Sequence, residues 1–191
     1  MDFCHKYPGG TELEISMLFV DVRGSTKLAE GLRAAEFSRL MNQFYKEATS
    51  VLIKTHAFID KFVGDEVIGL YFPLFTGKDH AGAAIQAAQQ LLAVTKQAVA
   101  DRQMLPIGVG VHTGTAYVGT VSGTEGSVTD ITALGDNVNI TARLASQAGA
   151  GEALVSEAAF TAAGVDQGTA EHRQLELKGR SEPISVWVLK L

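Results

Sequence analysis

The sequence predicts an α+β fold, a mixed sheet covered on one face by helices, and three observations carry that reading. Short apolar runs rich in β-branched and aromatic residues recur along the chain, and some sit close enough to form hairpins. Two long segments repeat apolar residues at helical spacing. Helical segments and hairpins interleave without a regular strand–helix–strand rhythm, which argues for a mixed sheet over a purely parallel one.

The elements follow in order. Residues 1–11 hold the cluster Pro8-Gly9-Gly10 and read as a tail or linker. Cys4 and His5 have no second pair of metal ligands at finger spacing, so they make a poor metal site. Ile15 to Val20 is an apolar run that stops at Asp21, a buried strand. Arg23-Gly24-Ser25-Thr26 breaks it, and Ser25 or Thr26 can cap a following helix. Phe37, Leu40, Met41, Phe44, Tyr45, Ala48, Val51 and Leu52 mark a long amphipathic helix.

Phe58–Val63 and Glu66–Phe72 form a hairpin across Gly64-Asp65. An Ala-rich helix spans about Ala81 to Val99. Ile107–Val111 and Ala116–Val121 read as a second hairpin around Thr113-Gly114-Thr115, and Val128–Leu134 as a further strand. A helix over Asp136–Ala148, a strand at Leu154-Val155 and a helix over Ser156–Ala163 follow. Strands near Arg173–Leu177 and Ile184–Leu189 close the series, with Trp187 in the core.

Composition narrows the function classes. The chain has 191 residues, 46% of them hydrophobic, enough to bury one substantial core and too apolar for a disordered segment. The formal charge is −5, and no Lys/Arg stripe offsets it, so a nucleic-acid partner is disfavoured. One cysteine cannot make an internal disulfide, which fits a reducing, cytoplasmic setting. No run of about 18 apolar residues occurs, so neither a membrane span nor a secretory leader is expected.

Two carboxylates stand out. Asp21 sits where a buried strand ends, and Asp65 sits in a hairpin turn. Singly, Asp21 reads as a helix cap and Asp65 as ordinary turn chemistry. Together, at strand ends of one sheet, they suit a divalent cation that completes its shell with phosphate and water. The loop Gly24-Ser25-Thr26 offers backbone N–H groups to phosphate, although it lacks the P-loop pattern. Asn139 and Arg143 are four apart and share one helix face, where Arg143 presents a planar fork of donors. Alternatively they form a polar surface, and Lys61 a snorkelling strand lysine. No Ser-His-Asp arrangement is present, and His112 reads as a structural hydrogen-bonding residue.

Five motifs in order go further: Leu18-Phe19-Val20-Asp21-Val22-Arg23-Gly24-Ser25-Thr26, Lys61-Phe62-Val63-Gly64-Asp65-Glu66, Gly108-Val109-Gly110-Val111-His112-Thr113-Gly114, Leu134-Gly135-Asp136 through Asn139-Ile140-Thr141-Ala142-Arg143, and Leu175-Glu176-Leu177-Lys178-Gly179. This series closely resembles the class III nucleotidyl cyclase catalytic domain, and the likeness runs over 12–191. It implies a ferredoxin-like mixed sheet and a homodimer with active sites at the interface. It also implies two divalent ions per site, Mg²⁺ or Mn²⁺, held by Asp21, Asp65 and the backbone carbonyl of Val22. The backbone of Gly24, Ser25 and Thr26 would receive the terminal phosphates, with Lys178 as a further phosphate contact. Asn139 would orient the ribose and Arg143 stabilise charge in the transition state, both from the opposite protomer.

The resemblance also bears on the base. Lysine at position 61 matches members that use ATP, and Thr132 stands where aspartate is commonest. A Lys/Thr pair resembles the bicarbonate-responsive branch. The implied reaction is ATP to 3′,5′-cyclic AMP and diphosphate. Guanylate cyclase activity, or a nucleotide-binding regulatory module without turnover, are the alternatives. An upstream regulatory domain or bicarbonate would be the regulator. Glu152 departs from members that place a basic residue near the terminal phosphates.

Overall fold

The computed structural model describes residues 10–101, 104–122 and 129–190, and Cys4 and His5 lie outside them. Its centre is β1 (Thr11–Val22), whose Ile15 to Val20 are all buried. The strand begins at Thr11, inside the segment expected to be a tail, because Thr11 pairs with Val118 of the longest strand. Two helices follow, a short α1 (Ser25–Gly31) and a long α2 (Ala34–Lys54). α2 buries Met41, Phe44, Ala48, Val51 and Leu52 at three- and four-residue steps. Glu36 in its first turn and Lys54 in its last complement the helix dipole.

The expected hairpin is present as β2 (Phe58–Val63) and β3 (Glu66–Tyr71). A short α3 (Pro73–Thr76) and a 3-10 turn lead into the Ala-rich α4 (His80–Ala100). β4 (Ile107–Ser122) and β5 (Thr129–Leu134) pair antiparallel. Then come α5 (Asp136–Gln147), β6 (Glu152–Ser156), α6 (Glu157–Ala163), β7 (Glu171–Leu175) and β8 (Ile184–Lys190). Ser156 caps α6, its hydroxyl accepting from the Ala159 amide. The strand order is β2-β3-β1-β4-β6-β8-β7, with β5 paired to β4 beside that path. β6 is parallel to β4 and every other pairing is antiparallel, so the sheet is mixed.

Two expectations need correction. The segment 107–122 is one continuous strand, not a hairpin around Gly114. It runs antiparallel to β1 along twelve consecutive registers, from Val22↔Ile107 to Thr11↔Val118. That ladder outweighs the turn propensity of Thr113-Gly114-Thr115. Gly114 serves a different need, since a Cβ there would lie 2.6 Å from the Asn137 side chain.

Helices also cover both faces of the sheet, not one. Leu18, Val20, Val22, Val109 and Val111 join the core under α2, α4 and α6. Ile15, Met17, Phe19, Ala116 and Val118 face the other way, with Ala145 of α5 in the same cluster. Coverage of both faces explains why β1 reads as an unbroken apolar run and not as an alternating one. Trp187 is only partly buried, its ring 4.7 Å from that of His172. No helix among the described residues is long and apolar enough to cross a membrane.

Candidate functional site

The end of β1 and the β2–β3 turn meet at one corner of the sheet. Val22 donates its amide to the Asp65 carbonyl at 3.0 Å, so the turn is fastened to the strand end. Asp21 stands opposite Glu66 in the β1–β3 register, with Asp65 beside it. Three carboxylates therefore share this corner. Burial pushes Glu66 up to about 7, aided by the negative charges of Asp21 and Asp65. Burial also raises Asp21; Arg23 opposes that rise and Asp65 adds to it. The Arg23 guanidinium lies 3.2 Å from Asp21.

This surplus of partly buried negative charge suits divalent cations. Among the described residues no group of three His, Cys, Asp or Glu side chains could hold a metal by itself. Asp21 and Asp65 would supply the carboxylates, and a backbone carbonyl, water and phosphate the rest. Such a donor set fits Mg²⁺, which takes one or two carboxylates from the protein.

The loop after β1 sits against the same corner. Gly24 adopts φ +76°, a left-handed conformation open to glycine, and a Cβ there would meet nothing within 4 Å. The loop thus turns tightly and leaves its surface clear. Ser25 is buried and donates its hydroxyl to Asp65, whereas Thr26 is exposed. An open groove lined by Ser25, Thr26, Phe37, Met41, Tyr45 and Asp65 runs beside the loop.

A second cluster forms elsewhere in the chain. Thr132, on β5, donates its hydroxyl to the Asp60 carboxylate at 3.1 Å, and the Lys61 ammonium lies 3.6 Å from the same oxygen. The sheet curls enough to bring β5 and β2 together, and Lys61 and Thr132 with them.

Asn139 and Arg143 share the outer face of α5, while Ile140, Thr141, Leu144 and Ala145 face inward. The helix start is pinned. His112 bonds Ser156 through Nδ1 at 2.8 Å and Asn137 through Nε2 at 2.9 Å. Burial keeps His112 below its ordinary pKa, as a structural role requires. Arg180 pairs with Asp136, which draws the loop carrying Lys178 toward α5. Lys178 itself is exposed. Among the described residues no hydrogen bond or ion pair joins Asn139, Arg143 or Lys178 to Asp21 or Asp65. The expected residues therefore fall into an acidic corner, a Lys61–Thr132 cluster and the outer face of α5.

Sequence reasoning passed over Arg23, Asp60 and Glu66. Glu66 directly follows the Gly-Asp turn, so its acidity there was a usable signal. Arg23 and Asp60 act across long sequence separations, to Ala145 and Thr132, which no local pattern reports.

Glu152 belongs to none of the three groups. It accepts from Arg173 at 3.1 Å, from Lys190 at 2.9 Å and from the Gly149 amide at 2.9 Å. The Arg173 hydrogen bond, with Lys190 and Gly149, holds it down to about 2 from an ordinary 4.5. A depressed carboxylate contributes stability above its unfolded pKa, and that stability is lost as pH falls through the folded value. Glu152→Gln should cost about 1 kcal/mol at neutral pH, most of the shift being discounted for solvent screening. It should also flatten the loss of stability between pH 4.5 and 2. Denaturant titrations at pH 7 and pH 3 check this.

Comparison with known proteins supplies the family. An adenylate cyclase of Anabaena cylindrica is 28% identical over 186 residues, covering 92% of this chain and 36% of that protein. An uncharacterized Mycobacterium tuberculosis protein, Rv1318c, is 28% identical over 183 residues, covering 92% of this chain and 32% of that one. The chain thus spans about a third of the length of these relatives. Among solved structures, the adenylyl cyclase CyaB from P. aeruginosa superposes with a TM-score of 0.84 at 28% identity, over 95% of this chain and 96% of that one. The guanylyl cyclase Cya2 gives 0.83 at 27% identity, over 94% and 93%. A protein that makes either cyclic nucleotide is thus equally near in fold. The family description that matches residues 10–190 is the adenylate and guanylate cyclase catalytic domain. A match over nearly the whole chain, on a mixed sheet with this acidic corner, places the protein in the adenylate and guanylate cyclase catalytic-domain family.

Proposed function

We propose that this chain is an adenylate cyclase that converts ATP to 3′,5′-cyclic AMP and diphosphate at the interface of a homodimer. The observation that carries this reading is the acidic corner, where Asp21 and Asp65 converge beside the Gly24-Ser25-Thr26 loop. Asp21, Asp65 and the Val22 carbonyl would hold two divalent ions, Mg²⁺ or Mn²⁺. When bound, these ions supply Lewis-acid activation of the ribose 3′-hydroxyl and charge neutralisation of the triphosphate.

The chain's own residues do the rest. The backbone of Gly24, Ser25 and Thr26 receives the β- and γ-phosphates, and the Ser25–Asp65 hydrogen bond fixes the loop for that task. Lys61 and Thr132 read the base. Asn139 orients the ribose and Arg143 meets charge developing on the phosphates, with Lys178 as a further phosphate contact. Losing a preorganised donor such as Arg143 costs about 2.7–4 kcal/mol of barrier.

The dimer is part of the same proposal. Among the described residues no hydrogen bond or ion pair joins Asn139 or Arg143 to the acidic corner, which supports a second copy bringing them to it. Exposed Phe62, Val63 and Leu134 give such a copy apolar surface to cover. An upstream regulatory domain, or bicarbonate, would control the enzyme.

The test is product analysis of the purified chain with ATP and GTP, each with Mg²⁺ and Mn²⁺. Cyclic AMP and diphosphate are expected, with ATP favoured over GTP. Specific activity should rise with protein concentration, because each site needs two chains. Nucleotide binding without cyclic product under every condition would overturn the enzymatic reading. A preference for GTP would overturn the choice of ATP and the base assignment, and leave the cyclase reading standing.

A further inference from the structure

The base-reading pair has a third member. β2 and β3 lose register between Ile59 and Lys61, so Asp60 sits at a bulge in β2. Its side chain is only 4% exposed. The same Oδ2 atom accepts the Thr132 hydroxyl at 3.1 Å and faces the Lys61 ammonium at 3.6 Å. Asp60 therefore touches both residues proposed to meet the base.

The chemistry of that contact decides something Thr132 alone cannot. A hydroxyl both donates and accepts, so a free threonine suits an amino group or a carbonyl equally. A carboxylate only accepts. Thr132 must then point its proton at Asp60, and only its lone pairs remain for a ligand. Lys61 has three protons to donate, enough for Asp60 and a ligand together. The pair consequently presents one acceptor beside one donor. Adenine offers the complement, a 6-amino donor next to the N1 acceptor. Guanine offers the reverse, an O6 acceptor next to an N1–H donor, so both contacts would be mismatched.

We propose that Asp60 is a specificity-determining residue that acts through Thr132, fixing its hydroxyl as an acceptor and so selecting adenine over guanine. This rests on the nucleotide-cyclase reading above. It places the choice of base in three side chains, one of them not expected to touch the nucleotide. Mismatched hydrogen bonds in a buried site discriminate strongly because they leave polar groups unpaired.

Affinity for 3′-deoxy-ATP and 3′-deoxy-GTP with Mg²⁺, measured by calorimetry on the full chain, tests it. Neither analogue has the 3′-hydroxyl, so binding is read without turnover. The wild-type chain should prefer the adenine analogue. Asp60→Ala removes the carboxylate that accepts from Thr132 and so frees its proton. The adenine-to-guanine affinity ratio should then fall about tenfold or more. In a Thr132→Ala background the same substitution should move the ratio less than about twofold, because the residue through which Asp60 acts is gone.

If Asp60→Ala lacks a cooperative melt, Asp60→Ser carries the same expectation, since its shorter side chain holds no carboxylate against Thr132. An unchanged ratio in the folded variant overturns the role of Asp60 and leaves the cyclase reading intact. An equal fall in the Thr132→Ala background overturns it also. A wild-type chain that prefers the guanine analogue, or binds neither, overturns this inference together with the ATP assignment.

Discussion

Asp21→Asn should lower kcat at least about a thousandfold while the protein still melts cooperatively. The substitution keeps shape and removes one negative charge from a corner where three carboxylates compete. Burial and the Asp65 charge penalise the ionised form of Asp21 by more than Arg23 favours it, so the fold tolerates loss of the charge. Catalysis loses a carboxylate proposed to hold both ions. About 4 kcal/mol of lost transition-state stabilisation corresponds to three orders of magnitude in rate. Asp65→Asn should behave alike, its amide oxygen still able to accept from Ser25. Complementation sharpens the test. Asp21→Asn chains mixed with Arg143→Ala chains should regain about a quarter of wild-type activity, because each mixed dimer keeps one intact site. Mixtures as inactive as their components would rule out sites shared between two chains.

The second large effect concerns stability. Gly110 lies where β4 and α5 nearly touch. A Cβ there would sit 2.6 Å from the Thr141 carbonyl oxygen and closer still to the Ala145 amide. Both are backbone atoms of a helix and cannot rotate aside, so α5 as a whole must lift. Overpacking a well-filled core costs about 1–3 kcal/mol, and contact with backbone puts Gly110→Ala at about 3 kcal/mol or beyond. Gly110→Val should not fold, given total stabilities of about 5–15 kcal/mol. Gly31→Ala has nothing within 4 Å and should stay within about 0.5 kcal/mol of wild type. Denaturant midpoints of the three variants decide it. Wild-type stability in Gly110→Ala would mean that helix and strand are not in close contact.

Much of this architecture was legible from residue pattern. The run Ile15–Val20 reads as a buried strand, and the spacing of Phe44, Ala48 and Val51 as a helix face. The hairpin at Gly64-Asp65 was plain from composition. What escaped was whatever depends on a distant partner. Thr113-Gly114-Thr115 looks like a turn until β1 is laid beside it, because its turn propensity is a local quantity and the ladder is not. Helices on both faces were missed because a fully apolar strand reports burial without saying what covers either side. The acidic corner was half visible. Asp21 and Asp65 announced themselves at strand ends, but Glu66 gains its character only from the charges around it. Asp60 was hidden for a similar reason, since its hydrogen bond to Thr132 spans 72 residues of sequence.

Arg23 gives the acidic corner a property that outlasts any one contact. Its guanidinium grips Asp21 and also reaches the carbonyls of Ala145 and Ser146 near the end of α5, while its own amide is tied to Pro106 at 2.7 Å. A single rivet thus joins strand tip, helix end and the approach to β4. Asp21 is thereby tied to sheet and helix at once, and a shift of the last turn of α5 would be felt at the proposed metal corner.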